Sequence, residues 1–169
     1  MHVVLVNPEI APNSGNIIRL CANTGASLHL VEPLGYTLDD KQLKRGGLDY
    51  HELASLTVHP DFASVQAELQ QPMYTFSSHA TRRYDQVDFT NDAVLVFGAE
   101  RTGLARSVVE QVPSENRLCI PMRPGNRSLN LANSVALILY EAWRQQGFAG
   151  AGPLGATTSE TPGAEPFDT

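Results

Sequence analysis

Six apolar runs of four or five residues constrain this chain most: Val3–Val6, Leu28–Val31, Leu56–His59, Met73–Phe76, Ala93–Phe97 and Arg117–Ile120. Stretches of helical periodicity separate them, at Ser14–Thr24, near Asp39–Lys44, and at Asp61–Leu69, Leu104–Gln111 and Leu129–Gln146. Short strands alternating with helices predict an α/β domain with a mostly parallel sheet flanked by helices. A chain of 169 residues has material for one such core. From Gly147 onward five Gly and three Pro replace apolar residues, so the expected division is a domain over 1–148 and a disordered tail over 149–169.

The last helix departs from ordinary amphipathic patterning. Val135 to Tyr140 is apolar on every face, which requires cover on all sides, from a subunit interface or from a central position in the core. No apolar run approaches the roughly 20 residues that cross a bilayer, so no membrane partner is expected. The opening residues enter a strand without a cationic lead, and Cys21 and Cys119 are too few for a disulfide scaffold. The expected location is the cytoplasm.

The net charge is −6, and three of the acids (Glu160, Glu165, Asp168) sit in the tail. Ten of the twelve basic residues are Arg, clustered with the lysines at Lys41/Lys44/Arg45, Arg82/Arg83, Arg101/Arg106 and Arg123/Arg127. A weakly acidic body with local Arg clusters suits a defined RNA feature better than a non-specific duplex coat, and no DNA partner is expected.

Three loops that follow strands concentrate the polar residues, where open α/β sheets bind ligands. In the first, Asn7 to Arg19, Asn13 or Ser14 is the expected helix cap, with Asn16, Arg19 and Asn23 on one helical face and Ile17, Leu20, Cys21 and Thr24 on another. Arg19 could grip a phosphate or ribose hydroxyl, or be an ordinary solvated cation. The second, Phe97 to Leu104, has Gly-x-x-x-x-Gly spacing, but Leu104 and Ala105 replace the Lys and Ser/Thr of a P-loop. Gly98 would let backbone approach a ligand, Gly103 would supply the turn, and Glu100 would be an edge carboxylate beside Arg101. An ordinary strand-to-helix turn fits that loop as well. The third, Ile120 to Asn133, offers Ser128 as the cap of the last helix, with Asn130 and Asn133 on its first turn. Buried amides without partners cost about 1–3 kcal/mol each, so this helix mouth reads as a ligand or dimer site. The chain has no Gly-x-Ser-x-Gly elbow, no Rossmann glycine pattern and no metal-ligand spacing of His or Cys; His2, His29 and His59 read as structural.

Taken in order, P-E-I-A-P-N-S-G-N-I-I-R-L-C-A-N-T-G, F-G-A-E-R-T-G-L and I-P-M-R-P-G-N-R-S-L-N-L-A-N-S-V-A resemble the three motifs of the SPOUT superfamily of RNA methyltransferases. The likeness is to the TrmH-like branch, and within it to small tRNA 2′-O-methyltransferases of the TrmL (YibK-like) type. Leu48–His51 and Tyr140–Arg144 also resemble that group, and the likeness spans about residues 1–148. It implies a SPOUT-type domain with a C-terminal trefoil knot, against the general rule that chains do not thread loops. It further implies a homodimer packed through the first and last helices, S-adenosylmethionine as methyl donor and no metal. Cofactor contacts would fall at Phe76, Gly98, Ile120, Ser128 and Leu129.

The implied reaction is transfer to the 2′-hydroxyl of the wobble nucleotide, cytidine or a modified uridine, of leucine tRNAs. Arg19 would orient that hydroxyl or stabilise its developing charge, since a guanidinium is a poor base. Asn16 and Glu100 would support this geometry, Ser128 and Asn130 would shape the pocket, and Asn133 is a further candidate. The Arg residues at 82–83 and 123–127 would contact RNA. Competing readings are 2′-O-methylation of another tRNA site or of rRNA, a non-catalytic RNA-binding factor, and a flavodoxin-type small-molecule domain.

Overall fold

The computed structural model describes residues 1–38 and 55–153. Its strands are β1 (His2–Val6), β2 (Ser27–Val31), β3 (Leu56–His59), β4 (Met73–Phe76), β5 (Arg82–Arg83), β6 (Val94–Phe97) and β7 (Arg117–Cys119), in one sheet of order β3-β2-β1-β6-β4-β7-β5. Every pairing is parallel. The α-helices are α1 (Ala11–Thr24), α2 (Phe62–Glu68), α3 (Arg106–Val109) and α4 (Leu131–Gln145).

A parallel sheet must be covered on both faces, and the alternation along β1 and β6 does this residue by residue. Val3, Leu5, Leu95 and Phe97 point to α1 and α4, meeting Ile17, Ile18, Cys21, Val135, Ile138 and Leu139. Val4, Val6, Val94 and Val96 point the other way, to Phe62, Val65 and Leu69 around α2.

The six expected strands are present, with ends shifted by one residue at most. The seventh, Arg82–Arg83, has no apolar signature, because it sits at the sheet edge and pairs only with β7. Helix starts needed larger corrections. α1 begins at Ala11, three residues ahead of the expected Ser14, because Pro12 fits the first turn; Ile10 is the cap residue and offers no side-chain cap. Asn13 and Ser14, expected as caps, are buried inside that turn. Gly25 closes the helix at φ 71°, the left-handed conformation glycine tolerates. At α4 the cap is Asn130 rather than Ser128: its side chain accepts the N–H groups of Ala132 and Asn133. α3 forms over only part of the expected 104–111.

The all-round cover expected for the last helix is not supplied by the described residues. Val135, Ile138, Leu139 and Ala142 are buried, whereas Leu137 and Tyr140 are 37% and 44% exposed. Just beyond α4 the chain turns back, with the Phe148 ring edge-on to Trp143 and Trp143 Nε1–H donating to the Ala149 carbonyl. The short helix expected near Asp39–Lys44, the Lys41/Lys44/Arg45 cluster, the Leu48–His51 stretch and residues 154–169 of the expected tail lie outside the described residues.

Three imidazoles form a row across β1, β2 and β3. His2 Nδ1 and His29 Nε2 share a hydrogen bond of 3.1 Å, and His29 Nδ1 and His59 Nε2 one of 2.9 Å. Burial pushes the central ring, His29, down from 6.5 to about 4. The folded value is depressed, so below pH 6.5 the unfolded chain binds the proton first. The stability held by neutral His29 is therefore complete at neutral pH and is lost as pH falls from about 6.5 to about 4, on the order of 3 kcal/mol in all. Urea unfolding midpoints of chelator-treated protein between pH 7.5 and 4.5 should fall steeply, and His29→Gln should flatten the slope. Parallel loss in both proteins would assign the acid lability elsewhere.

Candidate active site

Because the sheet is parallel and its order runs β1-β6-β4-β7, the loops leaving β1, β6, β4 and β7 emerge side by side at one edge. The polar groups that join them form a single chain of hydrogen bonds. The Glu100 carboxylate accepts the backbone N–H of Glu9 (2.7 Å) and of Ile10 (3.2 Å), and the Asn13 side-chain amide (2.9 Å). Asn13 Oδ1 in turn accepts Asn130 Nδ2 (2.9 Å), and Asn130 Oδ1 accepts the α4 backbone at Ala132 (2.8 Å). A carboxylate oxygen only accepts and a backbone N–H only donates, so the two ends of this chain dictate both amide orientations. One residue from each polar loop thus meets at one point.

A second clasp runs beside the first. Arg101, expected beside Glu100, turns instead to Glu9, its guanidinium lying 3.0 Å from the carboxylate and its backbone N–H donating to it at 3.2 Å. Hydrogen bonds from Arg101 hold the Glu9 carboxyl below its usual range. Loop two is tight enough for this because of two glycines. A Cβ on Gly98 would stand 2.2 Å from the backbone of Gly103 and Leu104, so the loop's own return requires glycine there. Gly103 turns the chain at φ +69° and donates its N–H to the Ala99 carbonyl at 2.8 Å.

Around this junction lies a cleft of about 320 Å³, within the range of small-molecule sites. Phe76, Gly98, Ile120, Ser128 and Leu129, the five residues expected to hold the cofactor, all line it, and so does Glu100. Phe76 and Phe97 stack at 4.7 Å at the strand ends. Asn130 lies next to the lining as the α4 cap. Asn16 and Arg19 are exposed on α1 and are not part of the lining.

Asn13 and Glu9 are the residues of the junction that the sequence reading did not place there. Pro12 was the available signal: it moves the helix start upstream and frees Asn13 from a capping role. Of the expected RNA contacts, Arg82 donates to the carbonyls of Glu115 (2.6 Å) and Gln86 (2.9 Å), and Arg83 pairs with Asp85. Arg123 and Arg127 are exposed on the loop before α4.

The chain is thus a parallel α/β domain with three interlocked polar loops over a cleft at the carboxyl edge of its sheet. Residues 1–140 match the SpoU rRNA Methylase family, and the chain belongs to that family. It is 54% identical over 152 residues to a protein of Burkholderia ambifaria named tRNA (cytidine(34)-2′-O)-methyltransferase, covering 88% of this chain and 97% of the relative. A solved structure concerned with 2′-OH methylation of C/U34 on tRNA superposes with a TM-score of 0.79 at 39% identity, over 86% of this chain and 90% of the other. The SpoU methyltransferase AviRb of Streptomyces viridochromogenes, solved in complex with AdoMet, gives a TM-score of 0.75 at 26% identity, covering 86% of this chain and 57% of that one.

Glutamine at position 100 keeps one acceptor oxygen and turns the other acceptor into a donor facing N–H groups. Glu100→Gln should therefore cost about 1–3 kcal/mol and lower the Tm by several degrees, as read by thermal unfolding. An unchanged Tm would show that the loops hold together without this carboxylate.

Proposed function

We propose that the protein transfers the methyl group of S-adenosylmethionine to the ribose 2′-hydroxyl of nucleotide 34, cytidine or a modified uridine, in leucine tRNAs. The observation that carries this reading is the cleft, formed in a member of this family where all three polar loops converge on Glu100, Asn13 and Asn130. Its lining suits a nucleoside with a charged tail: Phe76, Phe97 and Leu131 offer apolar wall, and Ser128 and the loop backbone offer polar groups. When bound, S-adenosylmethionine supplies a methyl group on a sulfonium that leaves as a neutral thioether.

The remaining chemistry belongs to the chain. The backbone at Gly98, Ile120 and Leu129, with Phe76 and Ser128, would hold the donor. Arg19, projecting from α1, would orient the ribose hydroxyl and stabilise negative charge as its proton leaves to solvent. Asn16, three residues earlier on the same helix, would help place the ribose. Glu100 and Asn130 act by keeping the loops in register, so their contribution is positional.

The exposed Leu137 and Tyr140 on α4 support a homodimer packed through α1 and α4. The likeness of fold supports a catalytic domain over 1–148 with a knotted C-terminal segment, working in the cytoplasm, where tRNA is the substrate.

The test is methyl-labelled S-adenosylmethionine with tRNA from cells lacking the activity, followed by nuclease digestion and mass spectrometry. Label on the 2′-oxygen of residue 34 of leucine tRNAs is the expected result, and a 2′-O-methyl elsewhere would replace the substrate. Arg19→Ala should lower transfer by about 100-fold or more while S-adenosylmethionine affinity changes less than about twofold. Equal loss of both would make Arg19 a binding residue.

A further inference from the structure

The imidazole row does work that the methyl-transfer reading leaves unused. In the register of the sheet Val4 lies opposite His29 and Val31 opposite His59, so the rings climb diagonally across β1, β2 and β3 on the face that α2 covers. That face is otherwise Val, Phe and Leu, yet His29 and His59 are only 3% and 4% exposed within it. The last residue of α2, Glu68, ends beside them. Its Oε2 is 3.9 Å from His59 Nδ1, too long for a hydrogen bond. The other nitrogen of that ring, Nε2, faces His29 Nδ1.

We propose that His29, His59 and Glu68 form a binding site for a divalent transition cation of the zinc class, tying the end of α2 and strand β3 to β2. Each of the three residues presents one ligand atom, and the three atoms lie within 4.8 Å of one another. Two imidazoles and one carboxylate suit zinc and its neighbours over magnesium or calcium, which prefer all-oxygen sets. His29 ligates through Nδ1 and His59 through Nε2, the two nitrogens that face each other, so the ion replaces their 2.9 Å hydrogen bond, the rings part by a few tenths of an ångström, and the Glu68 carboxylate turns from the Nδ1 side of His59 to meet it. His29 Nε2–H is then donated to His2 Nδ1, at 3.1 Å, the outer-shell support that a ligating imidazole ordinarily has. Glu68 is 53% exposed, so the ion enters from its side, and water completes the coordination. β3 is the edge strand at the end of the sheet order away from the cleft-forming β4 and β7, so the site acts on stability rather than on methyl transfer.

The experiment uses the full, untagged chain, stripped with chelator and dialysed, and titrated with Zn²⁺ by calorimetry and with Co²⁺ by visible absorption. The expected result is one equivalent per chain at micromolar free metal, a Co²⁺ spectrum of four- or five-coordinate N/O type, and a Tm raised by several degrees at saturating Zn²⁺. Glu68→Ala, a change on the surface that the fold tolerates, should weaken binding about 10-fold or more, and His59→Asn should do the same. The proposal is overturned by failure to take up either metal. It is equally overturned by uptake that survives Glu68→Ala and His59→Asn together, which would place the ion elsewhere, for example on the Met1 amine and His2.

Discussion

The carboxylate of Glu100 is the group on which the working edge of this protein depends. Helix α1 starts without a side-chain cap, and the N–H groups of Glu9 and Ile10 just ahead of it need acceptors. Glu100 supplies both from another loop, and through Asn13 and Asn130 it also fixes where α4 begins. Three segments far apart in sequence are thus ordered by one acceptor and two amides. The arrangement is demanding because each link has a fixed polarity. Exchange of either Asn for a residue without both a donor and an acceptor would leave a part-buried polar group unsatisfied.

The sheet makes this junction possible by placing the right strand ends together. β1 and β6 are neighbours at the centre, with Val3–Leu5 and Val94–Val96 essentially inaccessible to solvent, so the loops that follow them start from fixed points. Gly98, the residue after β6, has backbone from Gly103 where a side chain would be, and this tight return carries Glu100 across to loop one. Rigidity in the strands and tightness in the loop are therefore one requirement: the cleft keeps its shape because neither can shift alone.

Much of this was legible in the chain. Four-residue apolar runs can only be strands in a domain of this kind, and the density of Asn, Gly, Pro and Arg after them marked the ligand edge. What was not legible depended on contacts made at long range. Ser128 and Asn130 are equally good caps by residue type, and only Asn13, 117 residues away in sequence, decides between them by engaging Asn130. Arg101 follows Glu100, but its partner is Glu9, brought close by β1 lying beside β6. Arg82–Arg83 forms a strand because β7 offers an open edge, a reason that no local pattern records.

The charge pattern ties the fold to the kind of recognition it can support. Most described arginines are already used: Arg83, Arg101, Arg106 and Arg144 face carboxylates, while Arg82 and Arg117 donate to backbone carbonyls. With a net charge of −6, the six cations so engaged among the described residues add little sequence-independent attraction to a phosphate backbone. Arg123 and Arg127 stand out for their position, exposed on the loop that also gives Ser128 and Leu129 to the cleft. Cations held there stand beside the mouth of the cleft, where an incoming anion would meet them. In the proposed reaction, affinity for RNA on such a surface would come from the fit of one nucleotide and its flanking phosphates, so discrimination and binding would rest on the same few contacts.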